Sequence, residues 1–533
     1  MSGHVRLAAL GLGILALALS TGTSALAQGP APQTGGTLVY GIRQEPSTTD
    51  PHGSAAAVAQ RVLASMYDSL VFMTPRGQIL PWLAESWQVT PDAKIYTFKL
   101  RRDVRFHDGT RFNAAAVKFN LDRIRDPATR STSAISALGP YDRTDVVDEF
   151  TARVVFKESY APFLYAASTS FLGMVSPEAA RRWGQDFIKH PTGSGPFKFE
   201  SMVPADNITM VRNPDYRWPP KGFFKNTGPG YLDKIVVKTI PEASTRLATL
   251  QSGETNAIEP VPEKDVASLA QSKGFRVLKA PYPGAPRMVF LNTKKFPTDD
   301  LAVRRAILYG FNADQMVRTL LFSVHTPAKT PLTPGSVGYD KSLEGMYPYD
   351  PEKAKSVLTE AGWIPGADGI RTKGGRRLVM EQHIIANIGL DGPAEFMQGQ
   401  LRDIGIQADI KSLARAAWYE GINRGDHNMV PLFYIYGDPD LLRGLYHSTR
   451  IPFNWSHVND ATLDRDLEEA YRSADMAKRL PIYRRVQRRV MELALLVPMY
   501  NEFNLVGIRT EVRGMLFDPT AYPLFYDVWI EKK

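Results

Sequence analysis

The chain reads as an α/β protein of two or three domains. Three features carry that reading: length, the alternation of strand and helix patterns, and apolar content. About 505 residues follow an N-terminal leader, more than a single hydrophobic core serves. Strand and helix periodicities alternate irregularly along them. Hydrophobic residues make up 44% of the chain and charged ones 22%, enough apolar surface to fill several cores.

The leader is an address. Arg6 supplies a positive start, Ala8 to Leu19 is an apolar run of twelve, and Ala25-Leu26-Ala27 is a small-residue cleavage pattern before Gln28. The run is shorter than the ~20 residues that span a bilayer, and no later stretch approaches that length. A mature chain beginning near Gln28 and released into the periplasm is expected. Without any Cys there are no disulfides, no thiolate metal sites and no lipid-modified N-terminal Cys. The leader holds one of the 64 basic residues and none of the 55 acidic ones, so the excess positive charge is spread along the mature chain. Clusters such as Arg484-Arg485 and Arg488-Arg489 sit at helical spacing and suit a solvated face, so no nucleic-acid partner is expected.

After the flexible Gln28 to Gly36 stretch, Thr37 to Ile42 predicts a strand and Ser54 to Tyr67 a helix. Tyr96, Phe98 and Leu100 alternate ahead of an Asp108-Gly109 turn. Asn113 caps a helix whose apolar face is Val117, Leu121 and Ile124. Asn312 with Gln315 predicts a capping-box-like start. Asp350-Pro351 opens a helix with Ala354, Val357, Leu358 and Ala361 on one face and Gly362 as its stop. Asp460 begins another through Leu463, Leu467 and Ala470. Pro481, inside the next helical pattern, predicts a kink or a new start.

Catalytic signatures are missing from the sequence: no G-x-S-x-G elbow, H-E-x-x-H pair, Walker loop or dinucleotide fingerprint is present. Gly193-Ser194-Gly195 reads as a turn entering a strand, and His107-Asp108 as a strand end plus turn. The His residues of the mature chain fall at no i, i+3 or i+4 spacing, with His447 and His457 nearest in sequence, so neither a directly bound metal nor a resident cofactor is expected.

A series of segments gives the chain a family resemblance. Gly35-Gly36-Thr37-Leu38, Leu83-Ala84-Glu85-Ser86-Trp87, Phe106-His107-Asp108-Gly109, Gly193-Ser194-Gly195-Pro196-Phe197, Arg212-Asn213-Pro214-Asp215-Tyr216, Val303-Arg304-Arg305-Ala306-Ile307 and Tyr349-Asp350-Pro351-Glu352-Lys353-Ala354 occur in one order across the mature chain. Together they resemble the extracytoplasmic solute-binding family 5, the dipeptide, oligopeptide and nickel binding proteins of ABC transporters. The resemblance implies a two-lobed α/β periplasmic binding fold, type II and cluster C, with an extra subdomain in lobe I. It places lobe I at 29–75, 190–284 and 501–533, the subdomain at 76–189 and lobe II at 285–500. Met288 to Leu291 and Leu495 to Tyr500 are then candidate hinge strands. A monomer without enzymatic activity is implied, handing a di- or oligopeptide or peptide-like molecule to a permease.

Tyr436-Gly437-Asp438-Pro439-Asp440 resembles the acidic segment with which peptide binders hold an α-ammonium, which makes Asp438 the first candidate, with Asp440 beside it. A turn-organising role suits the same acids equally well. Trp418, Tyr436 and Trp455 are candidate cleft walls, and Glu45 and Thr48 candidate contacts from lobe I. Leu441-Leu442-Arg443 departs from the peptide binders, so Arg415 or Arg443 could instead face a carboxylate. A non-peptide solute such as an opine, an oligosaccharide or a metal chelate stays open at this stage, as does a periplasmic sensor or chaperone.

Overall fold

The computed structural model describes residues 30–53, 57–450 and 453–532; the leader and its cleavage pattern lie outside the described residues. Three larger sheets organise the chain. The first has seven strands in the order Phe275–Pro281, Phe503–Arg509, Ala257–Glu259, Thr37–Ile42, Lys234–Thr239, Asn207–Arg212 and Phe197–Val203. Its middle mixes parallel pairing, Thr37–Ile42 with both neighbours, and antiparallel pairing of Phe503–Arg509 with its own two. Strands from three separate stretches of chain thus share one layer. The helix Gln60–Met66 packs on it, burying Val62, Leu63 and Met66 against Leu38, Tyr40 and Val237.

A four-stranded antiparallel sheet, Ala84–Val89, Ile95–Leu100, Thr151–Phe156 and Tyr141–Asp148, forms the second layer. Tyr96, Phe98 and Leu100 face its core as their alternation predicts. The helix Ala114–Arg125 covers them with Val117, Leu121 and Ile124, and the Asn113 side chain accepts from the Ala116 amide at its start.

The third sheet has six strands in the order Thr326–Pro327, Leu496–Asn501, Gly284–Leu291, Met429–Ile435, Val379–Ile385 and Gln407–Leu413. Met288 and Phe290 enter one core, Val289 and Leu291 the core on the opposite face. A strand covered on both sides must be apolar at every position. That explains why Met288 to Leu291 and Leu495 to Tyr500 are so hydrophobic. The passage between the first and third sheets falls at their ends, at Pro281–Gly284 and Asn501–Phe503. There the Tyr282 amide donates to the Glu502 carbonyl at 3.1 Å, and Arg287 pairs with the Glu502 carboxylate. Gly284 has φ +103°, and a Cβ on it would lie 2.3 Å from the Tyr434 carbonyl oxygen, so only glycine lets the crossing pass.

The helices of this half start where their caps predict. Asp350 accepts from the Lys353 amide ahead of Pro351–Glu360, and Asp460 from the Leu463 amide ahead of Ala461–Tyr471. At Ala313–Leu320 the expected reciprocal box is only half made. Asn312 accepts from the Gln315 amide, while the Asn312 amide donates to the Gln400 side chain instead. No new start occurs at Pro481, since the helix Met476–Glu492 continues through it. Gly193 and Gly195 ride over the end of the helix Gln60–Met66, where a Cβ on either would strike Met66 backbone. Ser194 between them donates to Asp68 at 2.9 Å, and His107 bonds the backbone of both glycines. No helix among the described residues is long and apolar enough to cross a membrane.

Candidate functional site

The strand Met429–Ile435 ends at the place where the three layers meet. Its alternation puts Tyr434 and Tyr436 on one face, and both border two adjoining recesses of about 560 and 440 Å³. The first recess is closed by Gln60, Thr520 and Tyr522 from the first layer and by Ser136, Tyr165 and Phe171 from the second. The other runs along Glu158 and Tyr160, then Asp440, Arg443, Arg450 and Tyr471. Each lies in the size range of small-molecule sites.

The wall is held by close contacts. Tyr165 meets Tyr436 edge to face at 4.7 Å. A Cβ on Gly437 would lie 2.5 Å from the Tyr165 ring, so this glycine lets the second layer approach the turn. Tyr522 lies under the Arg61 guanidinium at 4.4 Å, and Arg61 is itself fixed by the buried carboxylate of Glu259.

Below the turn, Arg479 donates to both carboxylate oxygens of Asp438, at 2.9 and 2.6 Å. The pair is almost fully buried, and Asp438 also accepts from the Asp440 amide at 2.8 Å. Arg479 donates to the Tyr483 hydroxyl, which donates on to Asp440 at 3.0 Å. Asp440 has no cation within ion-pair distance among the described residues. Burial pushes its carboxyl up to about 7, against the opposing pull of Arg479.

The residues singled out from sequence divide into three groups. Tyr436, Asp440 and Arg443 come together at the recess. Arg443 is already engaged there, paired with Glu468 at 2.8 Å and stacked 3.8 Å over Tyr471. Asp438 lies one step behind them. Trp418 and Trp455 pack edge to face at 5.2 Å inside the core of the six-stranded half, Trp418 donating to the His383 carbonyl. Arg415 is exposed in the first turn of the helix Arg415–Arg424. Glu45 accepts from the Ala205 amide at the edge of the first sheet, and Thr48 borders a separate groove beside Arg123. Sequence reasoning missed Tyr434, Tyr165, Tyr522, Gln60 and Arg479. Tyr434 was within reach, being two residues before Tyr436 on the same strand. The others arrive from distant segments with no local signal.

His383, His427 and His457 gather in the six-stranded half, with ring centroids 6.3 and 5.7 Å apart along the series. Among the described residues no group of three or more His, Asp or Glu is placed to hold a metal ion.

Two sheet-centred halves, an inserted layer and an aromatic cleft between them are the architecture of a two-lobed solute-binding protein. Residues 78–451 match the model of the bacterial extracellular solute-binding proteins, family 5. The chain belongs to that family. It is 30% identical over 477 residues to the glutathione-binding protein GsiB of Salmonella choleraesuis, spanning 87% of this chain and 89% of the relative. Among solved structures it superposes on NikA from Brucella suis, in complex with Fe(III)-EDTA, with a TM-score of 0.82 at 25% identity, covering 93% of this chain and all of the other. It also superposes on the ABC transporter-associated periplasmic binding protein DppA from Helicobacter pylori, in complex with the peptide STSA. There the TM-score is 0.75 at 27% identity, over 94% and 99% of the two chains.

Proposed function

We propose that this protein is the periplasmic binding component of an ABC importer, that it takes a di- or oligopeptide or peptide-like molecule into the cleft between its lobes, and that it performs no chemistry on it. The observation that carries this reading is an aromatic-walled cleft with a carboxylate at its edge, Asp440, that makes no ion pair among the described residues. A glutathione-binding relative and a peptide-bound structural neighbour support it. The ligand's ammonium pairs with Asp440, while Asp438, neutralised by Arg479, fixes the turn that presents it. Tyr434 and Tyr436 supply flat faces that bury area against varied side chains. Lobe boundaries at 29–75, 190–284, 501–533 and 285–500, with the subdomain at 76–189, belong to the same reading, and the division of strands among the three sheets supports them.

The test is calorimetric titration of the mature chain, unfolded and refolded to strip carried-over ligand, with free-amine peptides and their N-acetylated forms. Binding of the free amines that weakens on acetylation and in Asp440→Asn supports the reading. Binding of a sugar, opine or chelate pool alone refutes the peptide assignment.

A further inference from the structure

Behind the cleft lies a second, smaller space. A chamber of about 50 Å³ sits inside the first lobe, and Gln60, Thr169 and Thr520 border both it and the cleft recess. Beyond those three its wall is mainly ring and aliphatic carbon, from Ala64, Phe72, Pro196 and Leu524 among others. Cores close to crystal density leave few voids of this size unfilled. Ser65, Ser69, Ser168, Ser170 and Asp518 add polar groups to that wall. Two of the lining residues, Ser170 and Trp82, each carry a buried hydroxyl or indole N–H with no hydrogen-bond partner among the described residues.

Resting on the peptide reading above, we infer that this chamber is the side-chain pocket of the binding site, and that it selects a short aliphatic side chain of the bound ligand. Size decides the class. One water needs roughly 10–15 Å³ of such space, so the chamber has room for about three or four heavy atoms. That is the side chain of valine or leucine, and it excludes phenylalanine and tryptophan. The side chain enters between Gln60, Thr169 and Thr520. The ligand thereby supplies the apolar atoms the chamber lacks.

The experiment titrates the refolded full chain with the tripeptides Ala-X-Ala, where X is Gly, Val, Leu, Phe or Trp. Burial of a leucine side chain lowers Kd about tenfold or more relative to glycine. Valine falls between them, and tryptophan binds no better than glycine. Two variants act in opposite directions on one space. Ala64→Leu fills it and brings the leucine peptide to the affinity of the glycine peptide. Leu524→Ala enlarges it and improves the phenylalanine peptide. Thermal melts of each variant verify that it is folded. Equal affinity for every X, or a leucine preference untouched in both variants, overturns the chamber while leaving the peptide reading in place. If no tripeptide binds and a non-peptide solute does, the peptide reading fails and this assignment falls with it.

Discussion

The Arg479 guanidinium holds both oxygens of the Asp438 carboxylate, 41 residues away in sequence and with both groups almost fully out of water. Their remaining hydrogen bonds are to a neutral hydroxyl, that of Tyr483, and from a backbone amide, that of Asp440. Replacing Arg479 by Met therefore leaves a buried carboxylate unpaired and lowers stability by about 3–5 kcal/mol. The double variant Arg479→Met, Asp438→Leu is less destabilised than the single one, because it removes both charges together. Urea unfolding of the wild type, both single variants and the double variant checks this; additive losses would contradict it.

Asp440 makes stability fall with pH. In the folded chain its proton leaves at about 7, and the reference value for the unfolded chain is 3.8. Between those values the unfolded state binds fewer protons, so its contribution declines as pH rises from about 4 to about 7 and is level beyond. Asp68, pushed up to about 7, and Asp518, up to about 6, by burial, act with the same sign. The difference between wild type and Asp440→Asn isolates one group. The variant is more stable at pH 8, by up to about 4 kcal/mol, and equal at pH 4. Denaturation at the two pH values measures it, and a constant offset would rule out Asp440 as the source.

An ammonium ligand relieves the same carboxyl. Binding of a free-amine peptide draws the proton off Asp440, so affinity rises from pH 5.5 to about pH 7, falls again above about pH 8 as the ligand's own ammonium is lost, and protons are released at pH 6. Calorimetry in buffers of different ionisation enthalpy counts those protons. In Asp440→Asn the count drops to zero.

Gly437 and Tyr165 act as a pair. Gly437→Ala drives a methyl into the Tyr165 ring and forces the second layer away from the turn. Peptide affinity falls about tenfold, and Tyr165→Ala in the same chain restores part of it by removing the clash. Titration of the two single variants and the double variant decides the matter. A double variant as weak as the sum of the singles would mean that the clash is not the cause.

Ser194 serves architecture. Together with Trp218 and Tyr216 it donates to the buried Asp68 carboxylate. Ser194→Ala costs about 1 kcal/mol of stability and leaves ligand affinity unchanged. Paired melts and titrations test it.

Local chemistry was legible in the sequence, and convergence was not. Asn113, Asp350 and Asp460 cap their helices because a cap is decided within four residues. The return bond at Asn312 comes from Gln400, which no window around Asn312 contains. Asp438 suits an anchor and a turn organiser equally from its neighbours in sequence, because the partner that neutralises it, Arg479, lies on another helix. Residue type makes Trp418 and Trp455 candidates for a cleft wall, and type does not say which side of a sheet a tryptophan meets. Tyr434, Tyr165 and Gln60 meet only once the three layers are assembled.

The strand Phe503–Arg509 lies between Phe275–Pro281 and Ala257–Glu259, near one side of a sheet whose other strands all end by Pro281. On the ribosome it is therefore the last of these strands to appear. Until it does, Ala257–Glu259 and Phe275–Pro281 have no common neighbour, and the first lobe stays open for most of synthesis. The inserted four-stranded layer, contiguous in the chain, faces no such delay. The order of assembly is thus written into the threading, with the insertion first and the lobe that surrounds its ends last.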